Sequence, residues 1–225
     1  SILGTKGYVE AIRAEKEDDL TTLAKAVTYS EATKLVRMAG YATESIKSIG
    51  LPATEDKDGP SGLTNELFGT SRNGTAFPAQ IVVAATCNEE LAASIGKQVA
   101  IEAKELKMSG WYAPGVNLHR SALGGRNFEY YSEDSVLSGI LGAKTVKGAV
   151  DGGVIVFLKH FAMNDIETNR IGLSVWADEQ TTREIYFSAF EKVIVDSVSL
   201  GESTLYFIVI DDRSVEKGGV SSKNP

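Results

Sequence analysis

The chain has 225 residues, of which 43% are hydrophobic and 24% charged, as is usual for a globular protein. Its formal net charge of −7 argues against a surface that binds nucleic acid, and its apolar runs are too short to predict a membrane segment. Cys87 is the single cysteine, which excludes an internal disulfide bond. With only two histidines and no metal-binding spacing, neither a metal nor a cofactor is expected.

Hydrophobic periodicity, capping residues and glycines predict an alternation of helices and strands. The predicted elements are, in chain order, a helix over Ser30–Ser48, a helix from Thr86 or Asn88 to Leu106, a strand over Trp111–Leu118, a helix from Ser132 or Asp134 to Gly152, a strand over Val154–Leu158, a helix over Asp178–Ser197 and a strand over Leu205–Ile210. Such alternation is typical of right-handed βαβ units around a parallel sheet. The pattern therefore predicts an α/β protein.

Three long polar stretches separate these elements, over Thr54–Asn73, His119–Glu133 and Met163–Asp178. Loops of this length in a compact domain are usually functional or disordered. Each stretch precedes a predicted helix, and the first and last occupy the positions at which a barrel carries its active-site loops. The stretches are therefore the first places to search for a site.

The segment Val154–Leu158 is an uninterrupted apolar run that ends in Lys159 and His160. Five such residues without polar alternation favour a strand buried on both faces, as in a parallel sheet. Ligands bind at the carboxyl ends of strands in these sheets, so both side chains are candidates for a functional site. The alternative is that Lys159 and His160 merely open a solvated loop.

Three motifs of the polar stretches follow one another in a characteristic order. They are DGPSGL at Asp58–Leu63, GGRNFEYYSED at Gly124–Asp134 and KHFAMN at Lys159–Asn164. Together they resemble the amino-terminal barrel domain of glycoside hydrolase family 3, in its β-glucosidase-type branch. Each motif alone would be a weak signal, whereas all three in this order are specific.

The resemblance implies a (β/α)₈-like TIM barrel and retaining, exo-acting hydrolysis of a terminal non-reducing β-D-glucosyl or related residue. The matching domain is expected over residues 1–200. A divergent terminal strand and a polar tail are expected over residues 201–225. The predicted strands are too few to close a barrel of about 250 residues, so the barrel is expected to be incomplete or truncated.

The resemblance also places Asp58, Arg126, Lys159 and His160 at substrate-binding positions. Charged groups suit a pyranose because they form strong, directional hydrogen bonds with its hydroxyls. The Gly-Pro turn after Asp58 can hold its carboxylate in place, and the planar fork of Arg126 suits a vicinal diol. Lys159 and His160 are expected to complete a cluster of hydrogen-bond donors.

Arg126 has an alternative partner within its own loop, since an ion pair with Glu129 or Glu133 is equally compatible with the sequence. The two interpretations are not exclusive. The same loop contains three aromatic residues, of which at least two are expected to pack beneath it rather than stack on a sugar: Phe128, Tyr130 and Tyr131.

Retaining hydrolysis needs two carboxyl groups about 5 Å apart. In the family that the chain resembles, the nucleophile is an aspartate in a Ser-Asp-Trp-like motif, which this sequence lacks. Alignment of the apolar run Leu205–Ile210 with the corresponding family strand makes Asp212 the candidate nucleophile, with Asp211 at the serine position. The general acid/base of the family comes from a second domain, so a partner domain or a homo-oligomer is expected.

Two other functions remain open from the sequence. The chain could be a catalytically incomplete sugar-binding module that needs a partner domain. Alternatively, Lys159 at the end of a buried strand could form a Schiff base, as in a barrel aldolase. A carbohydrate is the expected ligand in the hydrolase and the sugar-binding interpretations.

Overall fold

The computed structural model of the chain describes residues 17–37, 41–64, 74–170 and 173–198, together with the backbone of 206–210. The chain divides into two compact units, Ser1–Asp56 and Lys57–Pro225. The predicted division into a domain over residues 1–200 and a tail over 201–225 stays a prediction.

The first unit contains helices α1 (Glu17–Ala26) and α2 (Tyr29–Arg37) and strand β1 (Ala42–Thr43). Strand β1 pairs antiparallel with the start of β2 (Thr54–Asp58). Buried Leu23, Ile46 and Ile49 form the core of this unit.

The predicted helix over Ser30–Ser48 is wrong from Tyr41 onward, because β1 and a series of turns occupy residues 41–51. Tyr41 has a φ of 51°, a left-handed conformation that does not fit within an α-helix. Ile46, which fits the helical stripe of the sequence, instead packs into the core from a β-bridge with Leu51.

The second unit alternates helices with strands of a parallel sheet. Its elements are α3 (Gln80–Ala84), α4 (Glu89–Leu106), β3 (Gly110–Tyr112), a 3₁₀ turn (Asn127–Glu129), α5 (Ser135–Asp151), β4 (Ile155–Phe161), α6 (Glu179–Thr181), a π-helical turn (Thr182–Tyr186), α7 (Ser188–Val198) and β5 (Tyr206–Ile210). Strand β4 lies between β3 and β5 and runs parallel to both. The predicted α/β organisation is thereby confirmed.

Side-chain caps determine where the two long helices of the second unit, α4 and α5, begin. The side chain of Asn88 accepts a hydrogen bond from the backbone N–H of Leu91 at 2.9 Å, and Asp134 accepts one from Val136 at 2.7 Å. These residues satisfy backbone donors that the first turn of a helix leaves unpaired. Of the alternatives that the sequence offered, Asn88 and Asp134 are therefore the N-caps.

The strands differ in length from their predictions. Strand β3 ends at Tyr112, well before Leu118, and Pro114, which lacks a backbone N–H, follows two residues later. Strand β4 extends to Phe161, so that Lys159 and His160 lie on the strand rather than after it.

Strand β2 occupies the start of a polar stretch predicted to be a loop. Its sequence, Thr-Glu-Asp-Lys-Asp, has none of the apolar residues from which a strand is usually predicted.

Helices α4 and α5 pack closely against each other on the sheet. A Cβ atom on Gly148 would lie 2.1 Å from the carbonyl oxygen of Ala93, and one on Gly96 would lie 2.1 Å from that of Thr145. Glycine is therefore required at both positions. The apolar core beside these helices includes Val99, Trp111, Leu141, Val146, Val156, Leu158, Phe190 and Val193.

Within the described part of the chain, no helix has both the length and the apolar composition needed to cross a membrane.

The substitution Gly148→Ala tests the contact between α4 and α5. In an unhindered helix this change stabilises by about 1 kcal/mol, because alanine has the higher helix propensity. Here the added methyl group collides with backbone, and we expect a loss of about 1–3 kcal/mol in the free energy of unfolding. Urea denaturation followed by circular dichroism measures the change.

The neighbouring variant Lys147→Ala is the control, because it removes only a surface ion pair with Asp151. Its cost should be a few tenths of a kcal/mol. A stabilising Gly148→Ala would contradict the close packing of the two helices.

Candidate active site

The carboxylate of Asp58 is held by the turn that follows β2. The backbone N–H of Gly59 donates to Asp58 Oδ1 at 2.7 Å, and the indole Nε1 of Trp111 donates to the carbonyl of Gly59 at 2.7 Å. Gly59 has a φ of 117°, and a Cβ atom there would lie 2.1 Å from the carbonyl oxygen of Gly62. Only glycine fits this turn, which attaches the Asp58 loop to the buried indole.

Lys159 reaches Asp58 from β4, across the site. Its side chain is only 3% exposed and forms an ion pair with Asp58, whose own side chain is 32% exposed. The Oε2 atom of Glu129 lies 3.6 Å from Lys159 Nζ, and Glu129 is itself buried. Two carboxylates therefore compensate the charge of this buried lysine, as a charge removed from water requires.

The guanidinium of Arg126 has three neighbours. Its Nε atom forms an ion pair with Glu129 Oε1, Nη1 lies 3.7 Å from Glu167 Oε1, and Nη2 lies 2.8 Å from His160 Nε2. Burial alone would lower the pKa of Arg126, but the hydrogen bond to Glu129 and the nearby Tyr130, Glu129 and Glu167 raise it. Arg126 is therefore a fixed cation with a defined orientation.

His160 is held through both its backbone and its ring. The side chain of Asn117 accepts from the backbone N–H of His160 at 2.6 Å and donates to its carbonyl at 2.8 Å. The ring Nδ1 lies 3.0 Å from the hydroxyl of Tyr130, which in turn accepts from Asn164 Nδ2 at 3.0 Å. Burial raises the pKa of Tyr130, so its hydroxyl stays protonated at neutral pH.

The structure thus brings together all four residues that the sequence singled out for substrate binding. Lys159 contacts Asp58, and Arg126 contacts His160. Of the two acidic residues considered as partners of Arg126, Glu129 forms the ion pair.

Sequence reasoning missed the residues that support this cluster: Trp111, Asn117, Tyr130 as a partner of His160, and Asn164. Glu129 was considered only as a partner of Arg126, and its proximity to Lys159 was not foreseen.

The aromatic residues of the loop divide as expected. Tyr130 and Tyr131 are buried, whereas Phe128 is 56% exposed. The hydroxyl of Tyr131 lies 2.8 Å from Thr145 Oγ1, away from His160. Burial raises the pKa of Tyr131 to about 12. The prediction that at least two of the three pack beneath the loop is confirmed.

Asp212, the candidate nucleophile, lies outside the described residues, as does Asp211. The last described residue before them is Ile210, at the end of β5, and it is the register partner of Phe161 on β4. In the part of the chain that the structure describes, no group of three or more histidine, cysteine, aspartate or glutamate side chains could hold a metal ion.

Asp165 lies on the loop after β4 and has a buried carboxylate oxygen, Oδ1, without a hydrogen-bond partner. Burial raises the pKa of Asp165 to about 6, although the charge of Arg120 opposes this shift. Arg120 itself donates to the hydroxyl of Tyr186 and lies over its ring. Asp165 is therefore a carboxylate whose ionisation is unfavourable in the folded state.

Many proteins with a parallel α/β sheet bind small ligands at the carboxyl ends of the strands, where polar side chains gather. The fold and the site place this chain in that class. The chain belongs to glycosyl hydrolase family 3: the model of the family's N-terminal domain matches residues 14–212.

Relatives and a solved structure agree with this assignment. Beta-glucosidase A of Butyrivibrio fibrisolvens is 42% identical over 175 residues, which are 76% of this chain and 21% of the relative. Beta-glucosidase B of Emericella nidulans is 35% identical over 189 residues, which are 84% of this chain and 22% of the relative. The structure of beta-glucosidase 3B from Thermotoga neapolitana in complex with α-D-glucose is similar with a TM-score of 0.70 and 38% identity, over 79% of this chain and 28% of that one.

The chain therefore spans only 21–28% of the length of these glucosidases.

The substitution Asp165→Asn tests the effect of burial on the Asp165 carboxylate. Because its pKa is raised from 3.8 to about 6, the folded state binds the proton more tightly than the unfolded state. Asp165 therefore lowers stability progressively as the pH rises from about 4 to above 6. We expect the variant to be more stable than the parent at pH 7 by roughly 1–3 kcal/mol, and by much less at pH 4.

Urea denaturation at both pH values measures the difference. The surface variant Asp151→Asn, which removes only the ion pair with Lys147, should not become more stable at pH 7. An Asp165→Asn effect of equal size at pH 4 and pH 7 would show that the charge of Asp165 is not its cause.

Proposed function

We propose that the chain is the barrel portion of a retaining, β-glucosidase-type glycoside hydrolase. In this proposal Asp58, Arg126, Lys159 and His160 hold a terminal non-reducing β-D-glucosyl or related residue. The observation that carries it is their convergence from distant parts of the sequence onto one cluster. Membership of glycosyl hydrolase family 3 supports the reaction class.

Charge and exposure in the cluster fit a ligand rich in hydroxyl groups. The side chains of Asp58 and Arg126 are 32% and 20% exposed, so both offer polar atoms to solvent. A carboxylate accepts hydrogen bonds and a guanidinium donates them, and adjacent sugar hydroxyls can satisfy both. The relative solved with α-D-glucose makes glucose the first ligand to test.

We further propose the (β/α)₈-like barrel architecture for the domain. The parallel order of β3, β4 and β5, with helices between successive strands, is that of a barrel segment. The similarity to beta-glucosidase 3B, of which this chain covers 28%, gives further support.

Asp212 is the proposed nucleophile. Strand β5 ends level with β4, because Ile210 and Phe161 are register partners, and Asp212 follows two residues after Ile210. The acid/base is proposed to come from a partner domain or a second subunit, as the greater length of the relatives suggests.

A sugar-binding module without turnover is the second candidate, favoured by the small fraction of the glucosidases that the chain spans. The aldolase interpretation has no support among the comparisons. Moreover, Lys159 donates to Asp58, and an amine engaged in an ion pair is not free to attack a carbonyl. Failure of borohydride to trap a carbonyl substrate on Lys159 would remove the aldolase interpretation.

The substitution Asp58→Asn tests the binding site. Asparagine has the same shape as aspartate but lacks the negative charge of the carboxylate that accepts from Lys159. We therefore expect glucose affinity to fall at least about tenfold. Isothermal titration calorimetry on the whole chain measures it. Asp151→Asn is the matched control, because Asp151 also accepts from a lysine, Lys147, but on the surface of α5. Equal affinities of the two variants would contradict the proposed site.

Turnover of an aryl β-glucoside separates the hydrolase from the binding module. If Asp212 is the nucleophile, Asp212→Ala should lower kcat by at least about a thousandfold, because the covalent intermediate cannot form. Asp211→Ala, one residue earlier, is the control and should retain most of the activity. Glucose binding with no turnover by the parent chain would favour the module, and turnover that survives Asp212→Ala would exclude this nucleophile.

A further inference from the structure

The hydrogen bonds around His160 determine which of its ring nitrogens bears a proton. Arg126 Nη2 lies 2.8 Å from His160 Nε2, and a guanidinium has donors but no acceptor. Nε2 must therefore accept this hydrogen bond, since two N–H groups facing each other at this distance would repel. The proton of a neutral imidazole then lies on Nδ1.

The partner of Nδ1 agrees with this assignment. The hydroxyl of Tyr130, 3.0 Å from Nδ1, can accept a hydrogen bond from it. The same hydroxyl also accepts from Asn164 Nδ2 at 3.0 Å. Tyr130 is almost fully buried, at 1% exposure, so no solvent competes for this contact.

We infer that Tyr130 is a positioning residue that accepts the Nδ1 proton of His160 and so supports the Nδ1–H tautomer that Arg126 requires, in which His160 presents an acceptor, and not a donor, to the guanidinium. This inference revises the expectation that His160 completes a cluster of donors. The tautomer follows from the contacts alone, whereas its role in sugar binding rests on the proposed function.

The acceptor has two consequences for the site. First, Nε2 holds one arm of Arg126, while Glu129 holds Nε, so the guanidinium is oriented from two sides. Second, the single lone pair of Nε2 is occupied by Arg126, so a sugar hydroxyl can donate to Nε2 only if it displaces the guanidinium, and otherwise accepts from the remaining N–H groups of Arg126. This corner of the site therefore presents hydrogen-bond donors of Arg126 to a ligand oxygen, in an orientation that depends on the tautomer of His160.

The second histidine of the chain provides an internal reference. His119 Nε2 lies 3.1 Å from the backbone carbonyl of Tyr130, and a carbonyl can only accept. His119 must therefore bear its proton on Nε2. The two histidines are expected to be opposite tautomers on either side of the same tyrosine.

A long-range ¹H–¹⁵N correlation spectrum of the whole chain at neutral pH tests the assignment. We expect the protonated nitrogen to be Nδ1 in His160 and Nε2 in His119, with His119→Gln identifying the signals. An Nε2–H or a doubly protonated His160 would overturn the inference. This measurement needs neither a variant of Tyr130 nor any activity.

The variants Tyr130→Phe and Tyr131→Phe test the positioning role. Both remove one buried hydroxyl, but that of Tyr131 contacts Thr145 and not His160. We expect Tyr130→Phe to change the nitrogen signals of His160 and to weaken glucose binding at least about tenfold, a loss of about 1.4 kcal/mol. Tyr131→Phe should leave the His160 signals unchanged and the affinity within about twofold. Equal effects of the two variants would overturn the role of Tyr130.

The experiment separates this inference from the proposed function. A parent chain with Nδ1–H at His160 that does not bind glucose would refute the sugar site and leave the tautomer standing. A parent chain that binds glucose with Nε2–H at His160 would refute the inference and leave the sugar site standing.

Discussion

The site depends on the electrostatic interactions of the buried Glu129 carboxylate with Arg126 and Lys159. Glu129 pairs with Arg126 and lies near Lys159, and the side chains of Glu129 and Lys159 are almost wholly removed from water. Two cations so close together repel each other unless an anion lies between them, and a buried charge without a partner costs several kcal/mol. Because Glu129 supplies that anion, the polar groups nearer the surface, including the carboxylate of Asp58, have defined positions.

The scaffold determines where this charge cluster can form. Strand β4 supplies Lys159 and His160, the last residue of β2 is Asp58, and the loop before α5 supplies Arg126. Gly115 joins two of these segments, because it forms bridges with both Lys159 and Tyr130. A Cβ atom on Gly115 would lie 2.7 Å from the Tyr130 ring, so the close approach requires glycine. The binding groups thus depend on backbone contacts as much as on their own side chains.

The sequence predicted the parts of the molecule in which local pattern and tertiary contacts agree. Helices α4 and α5 have capping residues and many apolar residues, and β4 begins with a continuous apolar run, so all three could be predicted. Strand β2 could not, because its polar residues give no periodic signal and its pairing with β1 depends on a distant segment. The end of α2 could not either, since the apolar pattern continues past Arg37 although Tyr41 has a left-handed conformation.

The candidate residues were recognised from their motifs, whereas their mutual arrangement required coordinates. The role of Trp111 is an example: the sequence placed it at the start of a predicted strand, but gave no sign that its indole donates to the loop that holds Asp58. Trp111 is buried, and the other tryptophan of the chain, Trp176, is 79% exposed. Their fluorescence should therefore differ in emission wavelength and in access to quenchers. The protein thus contains an intrinsic optical reporter whose blue-shifted component comes from an indole bonded to the Asp58 loop.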